Sequence, residues 1–484
     1  MKTSIANPGE AADAVPKLTP AARWALAGLS LSMLLSSLGT SIANVGLPTL
    51  AQAFNASFQQ VQWVVLAYLL AITTLIVSAG RLGDIVGRGR LLLAGIGLFT
   101  AASALCGAAP TLWLLVAARA AQGLGAAAMM ALTMAFVGET VSKARTGSAM
   151  GLLGTMSAVG TALGPSLGGV LIAGFGWQAL FFVNVPLGLL ALFLAYRYLP
   201  ADKPEAEAQR ARFDSLGTLL LALALGAYAL SMTLGRGRFG PLNLALLLAA
   251  ALGTGLFLFV QSRTASPLIR PAMFRDWKLS ASLAMSALVA TVMMATLVVG
   301  PFYLAHALGL GAAVLGVVLS AGPFAAALAG VPAGRITDKF GARRIILAGL
   351  VAMAAGALLL SVLPAASGIA GYIAPLVVVT VGYALFQTAN NSAVMADVGA
   401  DQRGAVSGLL NLSRNLGLIT GASAMGAVFA FASSASDITT ASPAAVAAGM
   451  RITFAVAAAL VVIALAIALG SRAFAVRRPA GAQA

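Results

Sequence analysis

The chain has 484 residues, 60% of them hydrophobic and 9% charged, against roughly 25% charged in an ordinary soluble domain; so little polar surface excludes a water-soluble globular fold. Its 29 Lys and Arg outweigh 13 Asp and Glu for a net charge of +16, which reads as a topology signal with some attraction to anionic lipid headgroups and not as a nucleic-acid site. One cysteine, Cys106 inside an apolar run, and one histidine, His306, exclude a disulfide framework or thiolate metal cluster and leave hydrolytic or metal chemistry without its groups, so neither an enzyme nor a bound metal is expected.

Residues 1–22 hold Pro, Gly and acids and lack the pattern of a signal peptide, so a cytoplasmic tail is expected there. A hydrocarbon core about 30 Å thick takes about 20 apolar residues per helix. Residues 24–80 carry no charge and hold spans 1 and 2; residues 91–140, with Arg119 inside and Glu139 near the end, hold spans 3 and 4; residues 146–196 hold spans 5 and 6. Residues 215–235 and 239–261 are single spans, 7 and 8. Residues 279–334 give spans 9 and 10, residues 345–396 give 11 and 12, and residues 404–471, interrupted by Arg414, Asp437 and Arg451, give 13 and 14. The expected fold is all-α and transmembrane, with fourteen helices.

Basic connectors recur after every second span; only Arg236, Arg238 and Arg451 fall on the other side, and Arg119 and Arg414 fall within spans. The bias of Lys and Arg toward the cytoplasm then places both termini there. The expected location is the cell membrane, a bacterial inner membrane.

The segment GRLGDIVGRGR at 80–90 returns as GRITDKFGARR at 334–344, with Gly, Asp, Gly and Arg in matching places. The offset of 254 residues exceeds the roughly 190–200 that six spans with short connections occupy, by about two spans. The expected organisation is a tail at 1–22, a six-helix repeat at 23–198, a linker with two extra helices at 199–277, a second six-helix repeat at 278–471 and a tail at 472–484. Duplicated halves with a substrate site between them are a common design of secondary transporters, in which one half rocks against the other.

With these motifs the whole chain resembles the major facilitator superfamily, specifically its fourteen-span drug:proton antiporter branch. Gly80-Arg81-Leu82-Gly83-Asp84 with Gly87, Arg88, Gly89 and Arg90 is similar to the superfamily's motif between spans 2 and 3. LVAARAAQGLGAA at 115–127 is similar to the fourth-span motif, and Gly160 to Pro165 with Gly168 and Gly169 is similar to the fifth-span motif of exporters. SIANVGLPTL and WQALFFVNVPLG resemble spans 1 and 6 of the branch. The resemblance implies a monomeric exporter of small organic molecules, driven by the proton gradient with no cofactor. An importer or facilitator on the same fold stays open, with the glycine-rich span 5 the one feature against it, and a non-transporting receptor or scaffold is a more distant alternative.

Within the resemblance, Gly80, Asp84, Gly87, Arg88 and Arg90 form a gate, and Gly334, Asp338 and Arg343 are its second copy; a plain topology anchor is the alternative. Arg119 with Gln122 and Glu139 is tied to coupling, since an arginine in hydrocarbon costs several kcal/mol unless paired or wetted. Gly160, Gly164 and Gly168 fall on one face and, with Pro165 and Gly169, are expected to let another helix approach closely and to seal one half against the other. Polar strips place Ser37, Thr40 and Asn44 of span 1, Tyr68 of span 2, Gln387, Asn390 and Asn391 of span 12, and Asn411, Arg414 and Asn415 of span 13 along a central cavity; interhelical hydrogen bonding is the alternative for each. The chain departs from the branch at Gly39, where many relatives carry Asp, at Ala131 and at Gln178. All thirteen acids fall in connectors or at span ends. A cavity holding two arginines and no carboxylate favours neutral or anionic solutes over dications.

Overall fold

The computed structural model describes residues 19–140, 146–200, 214–234, 240–264, 267–269, 271–396, 398, 403–433 and 438–476. Fourteen helices are long and apolar enough to cross a membrane, the number expected, and no strand occurs among the described residues. Spans 1 to 6 run over Pro20–Val45, Phe58–Val86, Arg88–Gly107, Leu112–Thr140, Thr146–Phe175 and Ala179–Tyr198. Spans 7 and 8 cover Ser215–Thr233 and Pro241–Arg263, and spans 9 to 14 cover Trp277–Ala307, Ala312–Phe340, Ala342–Val362, Gly368–Ala396, Val406–Ala432 and Pro443–Val476. An even number of crossings puts the first and last helix ends on one side, called here the terminal face; the other is the far face.

An unmatched backbone N–H is costly in lipid, so helix starts are marked by caps. Thr19 accepts from Ala22 N–H ahead of Pro20, and Ser57 and Gln60 form a reciprocal capping box before span 2. Asp214 and Asp276 cap spans 7 and 9, which is one physical reason that acids stand at span ends. Two features lay outside the expected pattern. A short helix, Leu47–Ala53, follows span 1, and π-helical turns occupy Tyr303–Ala307 in span 9 and Gly421–Met425 in span 13.

Span 1 packs on spans 4, 5 and 6, span 4 on 2 and 3, and span 3 on 6; spans 9 to 14 repeat every one of these pairings in the same order. The likeness first visible in one connector therefore extends to two whole six-helix units. The units meet through span 5 against 10, span 2 against 13 and span 1 against 9. Along span 5, Gly169 and Pro165 are buried while Ala158, Gly154 and Gly151, nearer the terminal face, are exposed; along span 10, Gly316 is buried while Ala327 and Gly330 are exposed. The halves thus close on each other at the far face and part toward the terminal face.

Spans 7 and 8 pair with each other, and span 7 lies along span 2 and the π turn of span 13. Span 8 presents Leu242, Leu248, Leu252 and Phe259 outward, each more than half exposed, as expected of a helix whose solvent is lipid.

Candidate functional site

Arg119 is fully buried and has no acidic partner among the described residues. Its guanidinium donates instead to the carbonyls of Val64 in span 2 (2.9 Å) and Gly39 in span 1 (3.0 Å) and to Gln122 Oε1 (2.5 Å), and it lies 4.1 Å from the centroid of the Tyr68 ring. Gln122 passes the chain on to Ser103 Oγ in span 3 at 2.7 Å, and the Tyr68 hydroxyl donates to Ser36 O at 2.8 Å. The guanidinium therefore ties span 4 to spans 1 and 2 through its planar set of donors, a geometry that Lys cannot reproduce, and Gln122 extends the network to span 3. Arg119, Gln122 and Tyr68 are enclosed by the first half and do not line an open cavity; Gly39 contributes its carbonyl, and its Cβ direction meets the Tyr68 hydroxyl at 2.9 Å. Glu139 stands one residue before the end of span 4, and its side chain lies outside the described residues, as does Asp397.

The polar strips divide. Thr40, Gln387, Asn391 and Arg414 are half-buried and Asn411 is exposed. Arg414 forms no ion pair among the described residues. Ser37, Asn44, Asn390 and Asn415 are buried between helices instead. Ser37 Oγ meets Ser157 Oγ of span 5 at 2.7 Å, Asn44 donates to Thr40 O at 3.0 Å, and Asn390 donates to Ser282 O of span 9 at 3.5 Å. The buried Oδ1 atoms of Asn390 and Asn391 have no hydrogen-bond partner.

The paired connectors are helical over most of their length. Span 2 continues through Gly80 and Asp84 to Val86 and span 3 begins at Arg88, so the turn is Gly87 alone, with φ of 106°. Gly341, with φ of 83°, does the same between spans 10 and 11, leaving Gly334 and Asp338 inside a helix. Only such a positive φ lets two long helices fold back within one residue, and glycine adopts it without steric cost. Asp84 pairs with Arg88 across the turn, Nη2 to Oδ1 at 2.8 Å. Asp338 and Arg343 are exposed and form no ion pair among the described residues, because the residue one turn beyond Asp338 is Ala342 where the first copy has Arg88. Arg90 is exposed at the start of span 3.

The glycine stripe of span 5 serves two neighbours. A Cβ on Gly160, Gly164 or Gly168 would run into Leu34 O, Ser41 or Val45, all on span 1 of the same half. Gly169 meets the other half, its Cβ direction reaching Gly316 Cα at 2.9 Å, while Pro165 O blocks the corresponding direction on Gly316. Sequence reading did not single out Gly316, nor the far-face contacts of Phe58, Gln62, Phe302 and Phe429. Phe58 stands edge-on to Phe302 (4.7 Å between centroids) and Phe429 (5.5 Å), and Gln62 donates to Ala422 O at 2.8 Å. Aromatic and amide residues within apolar runs carry no local signal that would separate such contacts from ordinary core.

Fourteen spans in two like-built halves, packed together toward one face and parted toward the other, have the architecture of a multi-pass membrane transporter. Consistent with this, the Major Facilitator Superfamily model matches residues 29–422 and 294–483. The chain is 34% identical over 411 residues, 83% of its length and 74% of the relative's, to the multidrug resistance protein Stp of Mycobacterium tuberculosis. It is 31% identical over 403 residues, 83% and 87% of the two chains, to the riboflavin transporter RibZ of Clostridioides difficile. Among solved structures, a bacterial homologue of the human lysosomal transporter Spinster superposes with a TM-score of 0.70 at 16% identity, covering 96% of this chain and all of that one. The chain belongs to the Major Facilitator Superfamily, a family of transporters and not of enzymes.

Proposed function

We propose that this protein exports small organic molecules across the cell membrane by alternating access in exchange for protons, with residues 23–198 and 278–471 as the moving halves and 199–277 as the inserted linker. The observation that carries this reading is that the halves touch at Gly169 and Gly316 near the far face and part along spans 5 and 10 toward the terminal face. The basic connectors of the terminal face orient it toward the cytoplasm, so the cleft takes solute from inside. Likeness to the multidrug resistance protein Stp supports export. Arg414 is half-buried within span 13 and forms no ion pair among the described residues, which favours neutral or anionic solutes. Asp84, Arg88 and Arg90, with Gly334, Asp338 and Arg343, form the cytoplasmic gate, while Arg119 and Gln122 couple span movements in the first half; Glu139 is a candidate proton carrier.

A second reading, uptake or facilitated passage of one nutrient on the same fold, draws on the likeness to the riboflavin transporter RibZ. Proteoliposomes separate the two. With an imposed proton gradient, export predicts loss of neutral or anionic test compounds from the compartment that the terminal face contacts, and movement in the other direction sinks it. A drug panel in a pump-deficient host, with Arg414→Ala as control, tests the solute class: stronger transport of a lipophilic dication than of a matched neutral compound overturns the charge assignment.

A further inference from the structure

The inserted pair of spans stands between the repeats in sequence, and its contacts give it a mechanical part. Span 7 is attached to the first half at two depths: Ser78 Oγ meets Thr218 Oγ1 at 2.9 Å, and Trp63 Nε1 donates to Thr233 Oγ1 at 3.2 Å. Its other side rests on the π turn Gly421–Met425 of the second half, and span 7 carries the half-buried Tyr228. Gln62 of span 2 reaches the same turn, donating to Ala422 O from a position 1% exposed. Gly426, just beyond, leaves the room this amide needs, since a Cβ there would overlap the Gln62 side chain. A π turn interrupts the regular helical pairing and is a frequent feature of functional sites.

We propose that this π turn is the catch of the far-face gate and that Gln62 and Tyr228 are its two positioning residues, so that span 7 holds the far face closed and is not a passive linker. Both contacts run from elements fixed to the first half onto one turn of the second. Opening the far face must break them, and a buried amide without its acceptor is costly in a dry interface. They therefore stabilise the state open to the terminal face and are released together. The inserted pair also shields the seam between spans 2 and 13 from lipid, whereas the seam between spans 5 and 10 is closed by Gly169 and Gly316 themselves.

The test is a distance measurement on the full chain in nanodiscs. Spin labels on cysteines at Gln52 and Phe431, exposed far-face positions of the two halves, are introduced in a Cys106→Ala background and read by pulsed electron resonance. Gln62→Leu is expected to raise the long-distance population about tenfold, the shift produced by losing about 1.4 kcal/mol of closed-state preference. Tyr228→Phe, which keeps ring and shape, is expected to raise it about threefold. Unchanged distances in Tyr228→Phe overturn the role of span 7, and unchanged distances in both overturn the catch altogether. The inference rests on the alternating-access reading, but the distances are taken without solute: absent flux in liposomes counts against that reading alone.

Discussion

Arg119 illustrates how a charge survives inside a bundle without a carboxylate. Two carbonyls from different spans, one amide and one aromatic face surround it, and hydrogen bonds to a charged donor are worth about 1.5–3 kcal/mol each. Arg119→Lys keeps the charge but cannot serve Val64 O and Gly39 O together, so a loss of about 1–3 kcal/mol in stability and most of the transport is expected. Thermal unfolding in detergent beside a flux assay checks this, and wild-type values in both would remove the clamp. Asp84→Asn is the contrast: its pair with Arg88 is about one third exposed on each side, and such pairs contribute about 0–1 kcal/mol. Its unfolding midpoint is expected to stay near wild type while turnover falls, and a large stability loss would argue for a structural pair instead of a gate.

Among elements, the glycine turns and the small-residue stripe separate geometry from composition. Gly87 and Gly341 sit at φ, ψ of 106°, 126° and 83°, 139°, backbone regions sparsely populated by any residue but glycine, at a cost of about 1–3 kcal/mol, so Gly87→Ala and Gly341→Ala are each expected to lower stability by about that amount. Gly80 and Gly334 have open space at their Cβ positions and helical surroundings; alanine there is expected to be neutral or slightly stabilising, by up to about 1 kcal/mol. Urea or thermal titration of the four variants decides it, and a uniform response across all four would show that position within the turn does not matter. In span 5 the same logic distinguishes Gly164, whose Cβ direction is filled by Ser41, from Gly154, which faces open space.

For the whole molecule, the two-fold repetition of pairings makes the closed and open faces consequences of which seam is packed. Gly169→Leu forces spans 5 and 10 apart where their backbones touch and is expected to abolish the far-face seal, read as a proton leak in liposomes without solute. Gly154→Leu lies on the parted side and is expected to stay tight; leak in both, or in neither, contradicts the placement of the seal. Accessibility gives the complementary check. A membrane-impermeant maleimide is expected to modify Asn411→Cys quickly from the terminal face and to leave Gln62→Cys unmodified from either side, since Asn411 is exposed and Gln62 is 1% exposed. Doing this in intact cells also assigns the terminal face to the cytoplasm or to the outside.

The number of crossings, the helix pairs and the duplicated connector were legible in the residues because lipid imposes its demands locally: each span must be apolar over its own length, and its ends must carry caps and charges. The glycines of span 5 announced a close approach by their spacing alone. Which neighbour they approach was decided by tertiary packing, where Gly160, Gly164 and Gly168 took span 1 of their own half and Gly169 took span 10 of the other. Arg119 likewise stood out as an intramembrane cation, yet its partners lie on spans 1 and 2, and backbone carbonyls are invisible in a sequence because every residue carries one. The same reason hid the bond from Gln62 to Ala422 O. Sequence by itself determined the membrane fold and its repetition, since hydrophobicity and charge act residue by residue; enclosure, the open face and the contacts of the gate were decided only when distant helices met.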